Sequence, residues 1–303
     1  MSIFDQKVIK YEMKPLSSLE KVFPDETPVY RMECQMLSGL WGETVSFQVA
    51  YTGDFVMRER LDVRVVSELA EHVHVRTVEM VPVGRATNGI VDDNYLKTTS
   101  GLYPDLLKDL KDGKVIVYSR QWRSLWVDVD ITNEIPAGEY EIELQLIKEG
   151  EVVCSAKQKV TVIGTELPKL DIMHTEWMHA DCLADYYHVE VFSEEHWKLL
   201  ENYFQEYVKR DCNMMLTPLF TSPLDTAIGL ERTTCQLIDV EVKDGEYVFG
   251  FEKLKRWIDL CKKCGIEYFE MSHLFSQWGA KYAPKVVATV NGKKEKIFGW
   301  HTP

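Results

Sequence analysis

The sequence lacks the features of a membrane protein and of a small secreted domain held together by disulfides. A transmembrane helix needs an apolar run of about 18 residues, and the chain contains none. Residues 1–7 show no basic segment leading into an apolar one, as a signal peptide would. The seven cysteines are an odd number and lie scattered along the chain, which is not a disulfide framework. We therefore expect a cytoplasmic protein whose thiols are reduced.

An excess of positive charge is also missing. The formal net charge is −13, whereas a nucleic acid or an anionic membrane would require a basic face on its partner. Neither is therefore expected as a partner, and a neutral substrate fits better. Hydrophobic residues make up 45% of the 303 residues, enough for a folded protein of about two domains.

Cys261 and Cys264 have the spacing of a C-x-x-C pair. A zinc site of this type would need a second pair, which is absent. Both cysteines lie at the end of a helical pattern just before Gly265. We therefore predict that they are ordinary helix residues and not metal or redox ligands.

The first half of the chain, residues 1–167, is predicted to be one domain, and from about residue 43 to residue 162 its apolar residues repeat with a period of two. Val45, Phe47, Val49 and Tyr51 alternate with polar or small residues, and a similar alternation runs through residues 139–146. This pattern is typical of strands with one buried and one solvated face. Several such strands separated by turns predict an antiparallel, immunoglobulin-like β-sandwich. The less regular residues 84–107 are predicted to form a long loop over it.

The period changes after residues 164–168, which we interpret as a linker. Strands are predicted at residues 170–176, 213–217 and 266–271, with a hairpin turn at Asp244-Gly245. A helix begins after Ser193, a suitable N-cap residue, and a second helix ends at Gly265. This order predicts a parallel sheet. Residues 168–303 are thus expected to form the first βα units of a (β/α)8 barrel, fewer than the eight units that closure requires.

Both helices are predicted to bury one apolar face. The buried residues are expected to be Trp197, Leu200, Phe204, Tyr207 and Val208 in the first helix, and Phe251, Leu254, Trp257, Ile258 and Cys261 in the second.

Polar and aromatic residues follow each predicted strand of the second half. In a barrel these positions carry the reactive groups. A sugar presents an apolar face and a rim of hydroxyls, so its site needs flat aromatics beside fixed donors and acceptors. The alternative is structural: the tryptophans pack in the fold and the histidines cap loops. The candidate substrate-binding residues are Trp177, His179, Asp181, Thr217, His273, Gln277 and Trp278.

A metal site is a second interpretation of the first of these segments. His174 and Glu176 would share one face of a strand, and the following loop could return His179 or Asp181 to the same ion. Nothing in the spacing demands a metal, and the neighbouring tryptophans favour sugar stacking. No metal and no cofactor is therefore expected.

The second half resembles the catalytic domain of glycoside hydrolase family 123 over residues 170–302, and the preceding sandwich is similar to the β-domain that these proteins carry. The residues that carry the resemblance are His174-Thr175-Glu176-Trp177 with His179, Asp181-Cys182-Leu183-Ala184, Tyr186-Tyr187, Glu190 to Trp197, Asn213 to Pro218, Pro223-Leu224-Asp225-Thr226, and Glu270 to Ala280.

The resemblance implies an enzyme similar to β-N-acetylgalactosaminidases, acting on a terminal β-linked sugar by substrate-assisted retaining hydrolysis. In that chemistry an Asp polarises the acetamide of the substrate and the adjacent Glu protonates the leaving oxygen. The family carries them as an Asp-Glu dipeptide at the end of a later barrel strand. The one such dipeptide here, Asp25-Glu26, lies in the sandwich half. The catalytic residues are therefore unassigned, and we expect this chain by itself to be inactive.

The alternative function is a non-catalytic carbohydrate-binding or interaction protein. The sandwich and the aromatic strand ends would then suffice for recognition. In either case an unclosed barrel would expose strand edges and apolar surface, so we expect some self-association.

Overall fold

The computed structural model describes residues 10–29, 36–55, 58–87, 89–169, 171–222, 229–275 and 279–302. The chain divides into two compact units, Met1–Pro168 and Lys169–Pro303. Among the described residues, no helix is long and apolar enough to cross a membrane.

The first unit is built almost entirely of strands. Its strands are β1 (Lys10–Ser17), β2 (Met36–Trp41), β3 (Thr44–Asp54), β4 (Glu59–Val66), β5 (Val73–Val83), β6 (Gly101–Asp109), β7 (Lys114–Val117), β8 (Arg123–Asp130), β9 (Gly138–Lys148) and β10 (Glu151–Glu166). They form two five-stranded sheets, in the orders β1-β3-β8-β5-β6 and β2-β10-β9-β4-β7.

Side chains from both sheets of the first unit meet in one buried cluster. Phe47 and Leu125 come from the first sheet, and Leu61, Leu144 and Val160 come from the second. The alternation that predicted β3 and β9 therefore places one face of each strand in a shared core, as in a β-sandwich. At about 25 cal/mol per Å², the apolar area buried in this core is the main favourable term in the folding of the unit.

Three details of the first unit differ from the prediction. Residues 101–107, the end of the loop expected over residues 84–107, belong to the edge strand β6, which pairs with β5. The expected antiparallel arrangement has an exception, because β10 pairs with β2 in parallel. The outer face of β3 is not solvated: Ala50 packs with Leu16 and Trp122, and the buried Gln48 donates to the carbonyl oxygen of Glu20 at 2.7 Å.

The second unit mixes helices with short strands. Its elements are α1 (Ala180–Tyr187), α2 (Glu194–Val208), β11 (Met214–Thr217), β12 (Asp239–Lys243), β13 (Glu246–Gly250), α3 (Glu252–Cys264), β14 (Tyr268–Met271), β15 (Val286–Val290) and β16 (Lys293–Phe298). Strands β11 and β14 pair in parallel, and a four-stranded sheet has the order β13-β12-β15-β16.

The helix boundaries in this unit follow from local chemistry. The hydroxyl of Ser193 accepts a hydrogen bond from the amide of His196 at 3.2 Å, so α2 begins where the sequence predicted. Gly265 ends α3 with a φ of 104°, a conformation that favours glycine. Cys261 is fully buried and Cys264 partly buried in that helix, so both lie at its end, as predicted.

The core of the second unit lies between its helices and β11. Trp197, Leu200, Phe204 and Trp257 are buried together with Met215, which confirms the predicted inward faces of both helices. Tyr207, Val208 and Leu254 are partly buried against this cluster. Phe251 was predicted to be inward but is exposed, because it precedes the first turn of α3 as its N-cap residue.

Two hairpins shape the four-stranded sheet. The predicted turn at Asp244-Gly245 joins β12 to β13, with φ values of 51° and 85°. Asn291-Gly292, with φ values of 49° and 82°, joins β15 to β16 in the same way. Two successive positive φ values define the turn type that matches the twist of paired strands. The second hairpin was not predicted.

The predicted strand at residues 170–176 is not formed. Residues 171–179 have no regular secondary structure, and Leu170 lies outside the described residues. Asp181, expected to lie in the loop after that strand, belongs to α1 (Ala180–Tyr187). The parallel pairing predicted for the second unit is therefore present in β11 and β14, without the first strand.

Candidate functional site

Two strand ends lie side by side in the second unit. Thr217, the last residue of β11, pairs with Met271, the last residue of β14. The carbonyl oxygen of Thr217 accepts a hydrogen bond from the amide of Ser272 at 2.9 Å. The loops that follow these strands therefore leave the sheet at the same edge, where parallel sheets carry their binding residues.

Residues 171–177 lie beside β11 but do not pair with it as a strand. The side chain of Asn213 holds them in place. Asn213 accepts a hydrogen bond from the amide of His174 and donates one to the carbonyl oxygen of Ile172, both at 2.8 Å. In return, the carbonyl oxygen of His174 accepts from the amides of Asn213 and Met214 at 3.0 Å. The segment thus has a fixed position without being a strand.

Tyr207 of α2 provides the second attachment. Its hydroxyl oxygen accepts from the amide of Glu176 at 2.8 Å and donates to the carbonyl oxygen of Met214 at 2.6 Å. Burial is the main cause that raises the pKa of Tyr207 above its ordinary value, so the hydroxyl keeps its proton near neutral pH. The side chain therefore ties the segment just before Trp177 to the core of the unit.

Trp177 and His273, two of the predicted site residues, are in contact. Their ring centroids lie 5.9 Å apart with an angle of 86° between the planes. The indole nitrogen of Trp177 donates to a carboxylate oxygen of Glu270 at 2.9 Å. Trp177 is 49% exposed and His273 is also exposed. Together these three side chains form a solvent-accessible group, which we call the Trp177 cluster.

Glu270 was not selected as a site residue from the sequence. It lies within the run of residues that carries the family resemblance, one position before the end of β14. Its charge near the end of a predicted strand was the one sequence feature that could have identified it as a site residue. Only the contact with Trp177, 93 positions earlier in the chain, shows that it belongs to the cluster.

The carboxylate of Asp181 forms an ion pair with an arginine side chain. It accepts two hydrogen bonds from Arg232, at 2.8 and 3.2 Å. Both side chains are about nine-tenths buried, and Arg232 also donates to the sulfur of Cys182 at 2.9 Å. Burial opposes the charge of Arg232, but the hydrogen bond and charge of Asp181 outweigh it and raise the pKa of Arg232. Asp181 therefore acts as a buried structural anion.

The remaining predicted site residues are placed differently. His179 is partly buried at the N-cap position of α1. Thr217 is fully buried, and its hydroxyl donates to the carbonyl oxygen of Met215 at 3.2 Å. Gln277 and Trp278 lie outside the described residues, as do residues 223–226 of the family resemblance.

The residues considered for a metal site do not form one. His174 and Glu176 lie 3.5 Å apart, but Asp181 is paired with Arg232. No group of three or more His, Cys, Asp and Glu side chains suited to a metal occurs within the described parts of the chain.

An apolar cavity of about 330 Å³ also lies within the second unit. Phe220 follows β11 and Leu274 follows β14, and both line it together with Tyr247 and Phe249 of β13. The cavity is thus bordered by the same two loops that leave the edge of the parallel strands.

Asp25 and Glu26, which form the one Asp-Glu dipeptide of the chain, belong to the first unit. The ammonium of Lys97 lies 2.7 Å from Glu26 and 3.4 Å from Asp25. Both carboxylates are exposed and engaged by this lysine, so they form a surface ion-pair group.

The chain was compared with known proteins. Residues 177–302 match the family model described as glycoside hydrolase 123, catalytic domain. No curated protein matches the chain.

Among solved structures, one similar structure is a family 123 glycoside hydrolase from Clostridium perfringens, studied for the hydrolysis of glycolipid glycans. Its TM-score is 0.67 at 13% sequence identity, and the match covers 95% of this chain and 52% of that chain. The chain therefore spans about half the length of this relative.

A β-glucosidase from Listeria innocua is also found, at 10% identity over 53% of this chain and 17% of that chain. Its TM-score of 0.24 is too low to indicate a common fold. Two findings confirm the resemblance to glycoside hydrolase family 123. Residues 177–302 match the model of its catalytic domain, and 95% of the chain shares the fold of the family 123 structure from Clostridium perfringens.

Proposed function

We propose that the second unit supplies one wall of the sugar-binding site of a glycoside hydrolase. The substrate would be a terminal β-linked N-acetylgalactosamine, or a related sugar, cleaved by substrate-assisted retaining hydrolysis. The Trp177 cluster carries the proposal, because an exposed indole, a carboxylate and an imidazole meet beside the ends of two parallel strands.

The chemistry of the cluster suits a pyranose ring. The indole of Trp177 offers an apolar face for the carbon-bound hydrogens of the sugar. Glu270 accepts one hydrogen bond from Trp177, and an ionised carboxylate has room to accept further bonds from hydroxyls. His273 adds a ring that can donate or accept. Because the Trp177–Glu270 hydrogen bond orients both groups, the cluster would require little rearrangement on binding.

We assign a binding role to these residues and not proton transfer. Substrate-assisted cleavage requires a carboxylate on the acetamide and a proton donor at the leaving oxygen. The family resemblance places these groups in an Asp-Glu dipeptide, and residues 169–303 contain none. The residues of the cluster would therefore hold the sugar while the chemistry is carried out by others.

The finer architecture is part of the same proposal. The first unit would be an immunoglobulin-like sandwich, and the second would be the beginning of a (β/α)8 barrel in which residues 171–177 take the place of the first strand. The parallel pairing of β11 with β14 and the helix α3 between them support this interpretation.

A binding measurement tests the proposal directly. Saturation-transfer NMR with N-acetylgalactosamine should show transfer to the acetamide methyl group and to the ring protons. Trp177→Ala should abolish the signal, whereas Trp300→Ala should preserve it, because Trp300 is a tryptophan of similar exposure (45%) in the same unit. Equal signals from both variants would contradict the assignment of the site.

An activity assay tests the assignment of roles. The chain should release no aryl group from an aryl β-N-acetylgalactosaminide, since general acid catalysis alone contributes about 10² to 10⁴ in rate and its donor is missing. Turnover by this chain that is abolished in Glu176→Gln, with the fold intact by circular dichroism, would show that the catalytic centre lies within residues 169–303.

A further inference from the structure

A cavity in the first unit lies against β5 and β6, beneath the irregular segment of residues 89–100. Its volume is about 530 Å³, within the range of small-ligand sites. Its lining includes the side chains of Phe23, Asp92, Tyr95, Lys97, Tyr103 and Asp105. Long segments without regular structure are uncommon in compact domains and are often functional. We call this cavity the sandwich pocket.

The floor of the sandwich pocket is rigid. Phe23 is buried and meets Tyr103 edge to face, with ring centroids 5.8 Å apart and an angle of 83°. The hydroxyl of Tyr103 donates to the carbonyl oxygen of Thr99. The ammonium of Lys97 lies 3.9 Å from the centre of the Phe23 ring. These contacts tie the irregular segment to the sheet, so the pocket exists before any ligand binds.

The wall of the sandwich pocket is aromatic and accessible. Tyr95 is 45% exposed, and the adjacent Leu96 is also exposed. A tyrosine offers an apolar ring for stacking and a hydroxyl that can donate or accept a hydrogen bond. An exposed aromatic ring beside a rigid floor is the arrangement that stacks against the face of a sugar.

The charges around the sandwich pocket disfavour an anion. Lys97 is already engaged by Asp25 and Glu26. Asp92 and Asp105 both line the pocket, and neither has an ion-pair partner within the part of the chain that the structure describes. A carboxylate accepts hydrogen bonds from hydroxyl groups but repels another negative charge. Lys21, whose ammonium donates to the carbonyl oxygen of Pro104 at 3.3 Å, is the other cation of the lining.

From these observations we infer that the sandwich pocket is a binding site for a neutral oligosaccharide. Tyr95 stacks on a sugar ring, and Asp92 and Asp105 accept hydrogen bonds from its hydroxyls. The inference does not depend on the Trp177 cluster, which belongs to the other unit. It assigns to the first unit a recognition function of its own.

The test is a glycan array followed by calorimetry on the 303-residue chain. The array carries neutral oligosaccharides of galactose, glucose, N-acetylglucosamine and N-acetylgalactosamine, together with their sialylated counterparts. We expect binding to a subset of the neutral glycans and weaker binding to the sialylated forms. The best-bound neutral glycan that lacks N-acetylgalactosamine is then titrated into Tyr95→Ala, Tyr95→Phe and Asp105→Ala.

Loss of the aromatic ring should weaken binding roughly fivefold, as expected when a stacking contact of about 1 kcal/mol is lost. Tyr95→Phe should retain most of the affinity, and Asp105→Ala should reduce it without altering the fold. The matched control is Tyr247→Ala, which removes an exposed tyrosine from the second unit and should leave binding unchanged.

Two results would overturn the inference. One is the absence of binding to any neutral glycan of the array. The other is binding that Tyr95→Ala and Asp105→Ala both leave intact, since the glycan would then occupy another surface. Because Tyr95 and Asp105 are exposed, both variants should fold, and near-ultraviolet circular dichroism checks that they do.

Discussion

Trp177 donates its indole hydrogen to Glu270 across 2.9 Å, although the two residues are 93 positions apart in the chain. One belongs to an irregular segment and the other to a parallel strand. The hydrogen bond therefore fixes the orientation of an exposed ring relative to the sheet edge that we propose as a sugar-binding wall.

The Trp177–Glu270 hydrogen bond should be visible in solution. Glu270→Ala should accelerate the hydrogen exchange of the Trp177 indole about fivefold, which corresponds to a hydrogen bond of ~1 kcal/mol. Glu270→Gln should have a smaller effect, because the amide oxygen can still accept the bond. An indole exchange rate that is the same in all three proteins would show that the contact is not populated.

The ion pair of Asp181 with Arg232 should contribute to stability. Asp181→Ala leaves a buried guanidinium without its counter-charge, and removal of one partner of a buried pair costs about 3–5 kcal/mol. Urea unfolding followed by tryptophan fluorescence measures the loss. The control is Glu194→Gln, which breaks an exposed pair with Arg256 and should cause no comparable change. If Asp181→Ala is as stable as the unchanged protein but binds sugar less well, Asp181 has a binding role and not a structural one.

His196 should make the second unit less stable in mild acid. It is fully buried; its Nε2 donates to the carbonyl oxygen of Ala180 and its Nδ1 accepts from the amide of Phe192, both at 2.9 Å. Burial lowers its pKa, although the Ala180 carbonyl and the charge of Asp181 act in the opposite direction. The unfolded chain therefore binds a proton at higher pH than the folded protein does.

The stability that neutral His196 contributes should thus be complete above about pH 6.5, the ordinary pKa of histidine. It should be lost as the pH falls below that value and through the lowered pKa of the folded protein. The free energy of unfolding should accordingly be smaller at pH 5.5 than at pH 7.5. His196→Gln should remove most of that difference, and an unchanged pH dependence in this variant would assign the effect to other groups.

Tyr207→Phe should loosen the segment before Trp177 selectively. The hydroxyl accepts from the amide of Glu176, so this amide should exchange faster in the variant. The amide of His174 donates to Asn213 instead and should be nearly unaffected. The stability should fall by about 1–3 kcal/mol, because the carbonyl group of Met214 loses its buried donor. Equal acceleration at both amides would indicate general unfolding of the segment.

Two glycines in the first unit should differ in their tolerance of alanine. A Cβ would meet nothing within 4 Å at either Gly150 or Gly84, but only Gly150 has a positive φ, 89°, in the β9–β10 turn. Gly150→Ala should therefore cost about 1–2 kcal/mol from backbone strain, and Gly84→Ala should be close to neutral. Thermal unfolding of the two variants compares them directly, and similar melting temperatures would refute the argument.

The predictions from sequence succeeded where the signal is local. The alternation from Val45 to Tyr51, the cap residue Ser193, the terminating Gly265 and the Asp244-Gly245 turn each depend on neighbouring residues. The structure confirms the strand, the helix start, the helix end and the turn that they predict, although the outer face of the strand is buried and not solvated. The Asn291-Gly292 turn carries an equally local signal, and it could have been predicted by the same rule.

The failures come from interactions between distant residues. Residues 171–176 have the composition of a strand, yet their backbone groups are bound by side chains of Tyr207 and Asn213, more than 30 positions later. Asp181 was selected for its place in a polar loop. Its partner Arg232 lies 51 positions away in a stretch without periodicity, so no pattern in the sequence indicated the ion pair.

The attachment of residues 171–177 through side chains has a consequence for how this wall can change during evolution. Backbone ladders persist through most substitutions, because every residue except proline can contribute to them. Here the segment that leads to Trp177 is held by the side chains of two residues outside it, Tyr207 and Asn213. Substitutions at these two positions could redirect the wall without altering either parallel strand. A laboratory library that varies Tyr207 and Asn213 together would therefore explore new ligand preferences while the rest of the unit is kept intact.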